Sequence, residues 1–253
     1  MAEVAFKFPG AMAMTFPGGS MEINAWIAQQ LSKEAWEGWY CYNDVLQGKA
    51  VNEYFGRCKG IVLWNANKTG WLIHSVREWP LESPLETLPL EELSRAHSFC
   101  FWVGANDRLH KIEAQIDLMG AKVYLGKRST LGRQTSIATL QRIILDKQTD
   151  HIAKNKYWDR DLYESLGKCS VRSRASMDDT TVVGNFQGLP WSDDVDDSTW
   201  ALGETWICVG DISRSSSSIK RGGGGILVYD PEIVSSVKDF FGNIVTPAVP
   251  SVH

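Results

Sequence analysis

The sequence contains no long hydrophobic run. No segment approaches the ~18 consecutive apolar residues of a membrane-spanning helix. The opening segment, MAEVAFKFPGAMAMTFPGG, has no sustained apolar core of the kind found in secretory signal peptides. The sequence therefore predicts a soluble chain that starts in the cytosol and does not bind membranes.

Cysteine is sparse and follows no motif. No two cysteines form a C-x-x-C pair, the spacing common in structural zinc sites and redox-active disulfides. Because their number is odd and their spacing wide, we expect reduced, packed thiols. We also expect neither a metal nor a cofactor. The cysteines are Cys41, Cys58, Cys100, Cys169 and Cys208.

An excess of positive charge is also missing. The chain has 26 Lys and Arg against 30 Asp and Glu, a formal net charge of −4 and a pI near 5.8. Proteins that bind nucleic acid regardless of sequence usually present a basic face. The overall charge therefore gives no support for binding of that kind.

The chain does have enough apolar material for a large core. It has 253 residues, of which 43% are hydrophobic, and it includes 11 tryptophans. A chain of this size can fold as one large domain. We predict an N-terminal arm or irregular strand at residues 1–20 and a single domain at residues 21–253. Two closely packed halves, about 21–130 and 131–253, would form this domain.

Hydrophobic periodicity predicts the main elements. Apolar residues at helical spacing indicate helices within residues 21–36, 136–152 and 231–241. Short apolar runs indicate strands at residues 61–64, 71–76 and 98–103. The first two of these strands flank a polar turn that ends in glycine, which predicts a β-hairpin.

Four segments, taken in order, resemble one known family. They are Tyr42-Asn43-Asp44, KGIVLWNANKTGWLIHSVREWP (Lys59 to Pro80), IAKNKYWDRDLYESL (Ile152 to Leu166), and W-x5-WICVGDISR followed by KRGGGG (Trp200 to Gly225). Together they resemble the deoxyribonuclease II family of the phospholipase D superfamily, over about residues 35–242. The resemblance implies an α/β fold: a pseudo-twofold sandwich with central mixed β-sheets, flanking helices and a cleft where the two halves meet.

The resemblance also implies a catalytic site, from which this sequence departs. The family cleaves phosphodiesters with two H-x-K units, in which one imidazole attacks phosphorus and the other protonates the leaving oxygen. Lysines and asparagines stabilise the developing charge on the phosphoryl oxygens. The first unit here is Arg57-Cys58-Lys59, so the lysine remains and the histidine does not. A guanidinium stays protonated and cannot act as a nucleophile or a base.

The second unit is lost more completely. Where the family has D-H-S-K-W, this chain has DDSTW, so Asp197 replaces the histidine and Thr199 the lysine. The asparagine that follows each unit is replaced by Glu78 and by Ser213. A carboxylate such as Asp197 can in principle attack phosphorus. The sequence nevertheless predicts that the family's two-histidine chemistry is absent.

Other residues near these motifs are candidates for a cleft or binding site. They are Lys59, Trp71, His74, Trp79, Trp200, Asp211 and Arg214. The tryptophans can stack on a sugar or a base, or they can simply pack in the core. His74 can serve as an acid or base, or as a structural hydrogen-bonding group.

Two further motifs each allow two interpretations. The acidic run SDDVDD at residues 192–197 can ligate Ca²⁺ or form a solvated loop. Its spacing does not match an EF-hand, so we predict the loop. Arg221 with Gly222 to Gly225 can cradle a phosphate through backbone amides, or the glycines can serve a turn or a close-packing point.

Three functional hypotheses follow. The first is a non-catalytic relative of deoxyribonuclease II that binds a glycan, a nucleic acid or a protein. The second is a phosphodiesterase whose rebuilt site uses His74, Asp197, Asp211 and Arg214. The third is a self-assembling scaffold in which the N-terminal arm contributes to a homo-oligomer interface. The loss of both imidazoles favours the first hypothesis.

Overall fold

The structure, a computed structural model, describes residues 1–9, 13–17, 19–45, 55–127, 161–165, 169–174, 195–210 and 221–241. These residues form two β-sheets and four α-helices, with a short 3₁₀ turn at Asn106–Arg108. Within these ranges, the structure contains no helix that is both long and apolar enough to cross a membrane.

The larger sheet has eight strands. They are β1 (Ala2–Lys7), β2 (Ala13–Phe16), β3 (Gly19–Met21), β4 (Gly38–Asn43), β5 (Lys59–Trp64), β6 (Lys68–His74), β7 (His97–Ala105) and β8 (Val123–Lys127). Their order is β3-β2-β1-β7-β6-β5-β4-β8, and neighbouring strands are antiparallel. Asn65 closes the β5–β6 hairpin, because its side chain accepts hydrogen bonds from the backbone N–H groups of Asn67 and Lys68 at 2.9 and 2.8 Å.

The smaller sheet has five strands, all from the C-terminal part of the chain. They are β9 (Asp161–Ser165), β10 (Cys169–Arg174), β11 (Trp200–Leu202), β12 (Ile207–Gly210) and β13 (Gly223–Val228). Their order is β11-β12-β13-β10-β9, again with antiparallel neighbours. A single parallel bridge between Ala96 and Asp196 connects the segment before β7 to the segment before β11.

Four helices cover the sheets. They are α1 (Ile23–Ser32), α2 (Leu90–Leu93), α3 (Leu109–Leu118) and α4 (Pro231–Phe241). The Glu22 side chain caps α1 by accepting a hydrogen bond from Ala25 N at 2.8 Å. Proline is well tolerated in the first turn of a helix, where its missing N–H has no partner to lose, and α4 begins with Pro231.

Side-chain alternation along the strands builds two core layers. Tyr40, Tyr42 and Val62 of the larger sheet pack with Val209 and Ile226 of the smaller one, so this layer lies between the sheets. Intervening residues, including Cys41, Ile61 and Leu72, point to the opposite face and pack beneath α1. Burial on both faces explains why these strands appear as continuous apolar runs.

The structure confirms the predicted α/β fold and most of the predicted elements. The helices expected within residues 21–36 and 231–241, the hairpin of β5 and β6, and the strand at 98–103 are all present. The helix predicted at 136–152 lies outside the described residues. The division into two halves stays a prediction.

The expected N-terminal arm is wrong as a separate unit. Within residues 1–20, β1 lies inside the larger sheet, hydrogen-bonded to β2 on one side and β7 on the other. Val4, Ala5 and Phe6 are completely buried. Val4, Ala5 and Phe6 therefore belong to the sheet core rather than to a free arm, and homo-oligomerisation stays a prediction.

Candidate functional site

The surviving lysine of the first motif lies in a buried ion-pair cluster. Lys59 opens β5, and its Nζ lies 2.7 Å from Oδ1 of Asp44. The other carboxylate oxygen of Asp44 lies 3.2 Å from Nη1 of Arg221, which reaches the cluster from the segment before β13. All three side chains are almost fully buried. Lys59 therefore faces a carboxylate of its own chain.

Electrostatics keep Asp44 ionised. Burial raises its pKa, but Lys59, Arg221 and Arg57 together more than compensate and hold the pKa below its usual value. Arg221 also donates a hydrogen bond from Nε to the backbone oxygen of Phe55 at 2.8 Å. The carboxylate thus connects the strand of the first motif to the smaller sheet.

Close backbone contacts fix the segment that leads to Lys59. Gly56 N donates to Gly120 O at 2.8 Å, and Arg57 N donates to Gly222 O at 2.7 Å. A Cβ atom on Gly56 would lie 1.8 Å from the backbone oxygen of Met119, so only glycine fits here. Gly225, in the glycine run, is also tightly packed, since a Cβ there would lie 2.9 Å from Cys208 Sγ. These contacts agree with close packing rather than with a phosphate cradle.

The motif resemblance assigns Arg57 to the position of the first histidine. Burial, with Arg221 and Arg77 nearby, lowers the pKa of Arg57, and Asp44 and Asp197 oppose this effect. The two replacements for the family's histidines, Arg57 and Asp197, are therefore electrostatically coupled. The structure brings the two motifs together, as the resemblance implied.

Asp197 is held by two arginines. Arg95 Nε donates to its Oδ2 at 2.5 Å, and Arg77 Nη2 donates to its Oδ1 at 3.1 Å. Burial raises the pKa of Asp197. The hydrogen bond from Arg95 and the charge of Arg77 lower it by more, so the net pKa lies below its usual value. A carboxylate with both oxygens engaged in this way is a poor nucleophile toward phosphorus.

Two other candidates occupy defined positions, and three lie outside the described residues. Thr199 is buried, and its backbone N–H donates to Ser98 Oγ at 2.9 Å. Glu78 has a φ of 52°, a left-handed conformation that asparagine adopts more readily than glutamate. That backbone geometry suits the asparagine that the resemblance implies here. Ser213, Asp211 and Arg214 lie outside the described residues.

His74 is completely enclosed. Its ring packs edge-on against Trp79 with ring centroids 4.9 Å apart, and its exposed fraction is 0%. Burial lowers the pKa of His74 well below its usual value, and the nearby charges of Lys59 and His97 lower it further. Val76 backbone opposes this shift, yet neither ring nitrogen has a well-formed hydrogen bond within the described part of the chain. His74 therefore cannot reach a substrate in this conformation.

The tryptophans expected to form a stacking platform are also buried. Trp71, Trp79 and Trp200 have no exposed surface. Trp71 Nε1 donates to the Tyr42 hydroxyl at 2.9 Å, and Trp200 packs against Phe6 and Phe241. The prediction that these three bind a ligand is wrong, because their rings fill the core. Core packing was the other interpretation of their pattern.

Comparison with known proteins identifies the family. The deoxyribonuclease II family model matches residues 22–178 and 156–246, well over half of the chain. The chain belongs to the deoxyribonuclease II family. It therefore shares the phospholipase D-like fold that this family implies. Its departures at Arg57, Asp197 and Thr199 are departures of a true family member.

Relatives in bacteria and animals are similar over most of the chain. A protein of Burkholderia pseudomallei named "Putative deoxyribonuclease-2" is 26% identical over 245 residues, covering 78% of this chain and 69% of the relative. The protein of that name in Burkholderia thailandensis is 24% identical over 244 residues, with the same coverage. "Cell-death-related nuclease 7" of Caenorhabditis elegans is 23% identical over 262 residues, covering 83% of this chain and 70% of the relative.

Four residues of the site in this chain were not predicted from the sequence. Arg77 lies inside the resembling segment and carries a charge, so it offered a weak signal. Glu92, Arg95 and His97 lie in a stretch without a motif. They reach the site because the bridge between Ala96 and Asp196 joins segments about 100 residues apart. Nothing local in the sequence encodes that contact.

Proposed function

We propose that this chain is a non-catalytic member of the deoxyribonuclease II family that acts by binding. The arrangement of Asp197 carries the proposal. At the position of the second catalytic histidine, a carboxylate accepts hydrogen bonds from Arg77 and Arg95. This carboxylate therefore pairs with cationic groups that could otherwise bind a phosphate. At the position that the resemblance gives to the first histidine is Arg57, which cannot attack phosphorus or accept a proton.

Among the three ligand classes considered, these arginines favour nucleic acid. Arg77 donates to Asp197 from Nη2, and its side chain is 46% exposed. A guanidinium has five N–H donors, so Arg77 can still offer a phosphate the paired hydrogen bonds that guanidinium groups form with it. Burial of Trp71, Trp79 and Trp200 removes the aromatic surface that a glycan or an unpaired base would need there, so recognition would depend on contacts between the arginines and phosphate. A cytosolic location belongs to the same proposal, supported by the buried thiols of Cys41, Cys58, Cys100 and Cys208.

We expect no cleavage of supercoiled plasmid above background, near pH 5 or near pH 7.5, with or without EDTA. The reason is that neither motif position carries an imidazole to form the covalent phosphoenzyme. Agarose-gel nicking assays measure this, with the variant carrying Arg57→His, Asp197→His and Thr199→Lys run in parallel. Nicking gained by that variant alone supports the motif correspondence. Nicking by the unmodified chain that disappears in Asp197→Ala contradicts the proposal.

Binding gives an independent prediction. Asp197→Asn is expected to tighten binding of a fluorescent single-stranded oligonucleotide by about tenfold, roughly 1.4 kcal/mol, because it frees Arg77 and Arg95 from a competing anion. Fluorescence anisotropy in EDTA-containing buffer measures this. Asp107→Asn makes the same charge change at an exposed position, so it controls for net charge. Equal affinities for the two variants would count against an anion-binding cleft.

A second candidate function is phosphodiester hydrolysis by a rebuilt site. The names of the relatives favour it, since each is called a deoxyribonuclease or a nuclease. Of the four residues proposed for that site, His74 is enclosed and Asp197 is bound by arginines, while Asp211 and Arg214 lie outside the described residues. The nicking assay separates the two functions.

A further inference from the structure

A compact group of possible metal ligands lies beside the two arginines of the cleft. Glu92, His97 and Asp197 each place one ligand atom within 4.8 Å of the other two. Glu92 and His97 are buried, and Asp197 lies at the surface side of the group. We propose that these three side chains bind a divalent transition-metal ion, with Zn²⁺ as the expected ion. This inference does not depend on whether the chain cleaves or binds DNA.

His97 and Glu92 approach each other closely. His97 Nε2 lies 2.9 Å from Glu92 Oε2 and 3.2 Å from the backbone oxygen of Glu92. Within the described part of the chain, Glu92 Oε2 is buried without a hydrogen bond. If Nε2 carries no proton, lone pairs face each other in a site shielded from water, which is unfavourable. A cation between them, either a proton or a metal ion, removes that conflict.

The imidazole of His97 is oriented by a partner at its other ring nitrogen. Ser75 Oγ lies 3.3 Å from His97 Nδ1, and the same hydroxyl accepts a hydrogen bond from Ser98 N at 3.1 Å. A proton on Nδ1 can be donated to Ser75, and that tautomer presents the lone pair of Nε2 to Glu92 and Asp197. Metal-binding histidines are usually oriented in this way by a partner on the other ring nitrogen.

The arginines that hold Asp197 are compatible with a metal. A carboxylate offers about four lone-pair positions, of which Arg77 and Arg95 use two. Carboxylates that bind metals are commonly hydrogen-bonded in turn. These bonds fix the Asp197 carboxylate beside Glu92 and His97, so little side-chain entropy is lost when an ion binds.

The ligand types favour zinc over calcium. One imidazole and two carboxylates form a mixed nitrogen and oxygen set, which suits Zn²⁺, whereas Ca²⁺ takes six to eight oxygens. A tetrahedral ion with bonds of about 2.0–2.2 Å holds its ligand atoms roughly 3.3–3.6 Å apart, so His97 Nε2 and Glu92 Oε2, which lie 2.9 Å apart, would separate slightly when the ion binds. The sequence analysis considered the aspartates of the SDDVDD run as a calcium site. From the described part of that run, residues 195–197, Asp197 joins this group, together with two residues that carried no signal.

The test is zinc binding by the full chain after treatment with EDTA and removal of the chelator. We expect about one equivalent of Zn²⁺ in isothermal titration calorimetry and an increase in Tm, because the ion binds only the folded chain. Co²⁺ should give visible absorption bands typical of nitrogen and oxygen coordination. Glu92→Gln and Asp197→Asn should each weaken zinc affinity by at least tenfold, and Ser75→Ala by about tenfold.

Glu91→Gln is the matched control, because Glu91 is the exposed neighbour of Glu92 on the same short helix. It should bind zinc as the unmodified chain does. If the folded, unmodified chain takes up no zinc, the proposal is overturned. His97 and Glu92 would then interact directly, through a hydrogen bond or an ion pair. Uptake that Glu92→Gln and Asp197→Asn leave unchanged, with circular dichroism showing both variants folded, overturns it as well. If a variant does not fold, the Co²⁺ spectrum of the unmodified chain decides, and bands without imidazole coordination contradict the site.

Discussion

Asp44→Asn is expected to lower the free energy of unfolding by about 3–5 kcal/mol, the cost of breaking a buried ion pair on one side. Asp44 neutralises Lys59 and Arg221, and all three side chains are almost fully buried. Asparagine keeps the size of the side chain but removes the negative charge that Lys59 and Arg221 both contact. Urea denaturation followed by circular dichroism measures the change.

A surface ion pair provides the comparison. Glu34 forms a salt bridge with Lys68, whose side chain is 47% exposed. Glu34→Gln should therefore cost less than about 1 kcal/mol. The double variant Asp44→Asn with Lys59→Met should recover part of the lost unfolding free energy, because it also removes one of the two cations that Asp44 contacts. Equal effects of Asp44→Asn and Glu34→Gln would show that the buried cluster is not a stabilising contact.

The fold could be predicted largely because its signals are local. Alternating apolar residues, the turn at Asn65 to Gly70 and the proline at residue 231 each act within about ten residues. The N-terminal segment was harder. Its glycines and prolines suggested irregular structure, and its place between β2 and β7 depends on pairing with a strand about 95 residues away.

The site was less predictable for a related reason. The motifs of the resemblance pointed to Lys59, Arg57 and Asp197, and the charge of Asp197 does act on Arg57. They could not show that Asp44 would hold Lys59, or that Arg77 and Arg95 would hold Asp197. A charged residue in a sequence has no visible partner, because ion pairs form between segments that only the tertiary fold brings together. Tryptophan was misleading in the same way, since burial is decided by packing.

The position of His74 predicts a specific loss of stability in acid. Its ring is fully buried beside Trp79, and Lys59 and His97 are the charged or titratable groups that lower its pKa along with burial. In the unfolded chain, histidine has a pKa of about 6.5. Below that pH the unfolded state binds a proton that the folded state does not. Folded-state stability must therefore fall as the pH falls below about 6.5, by up to roughly 1.4 kcal/mol per pH unit.

Replacement of His74 isolates this effect. Between about pH 6.5 and pH 4.5, the unmodified chain should lose up to about 3 kcal/mol more stability than His74→Leu, because leucine has no proton to bind in the unfolded state. Asp44 and Asp197 have lowered pKa values, so their contributions are lost only below about pH 4, the ordinary range of an unfolded aspartate. Urea unfolding at half-unit pH steps measures both curves, with the exposed His110→Ala as the control that should follow the unmodified chain. Parallel curves for the unmodified chain and His74→Leu would mean that His74 is protonated in the folded state, which would make it available as an acid after all.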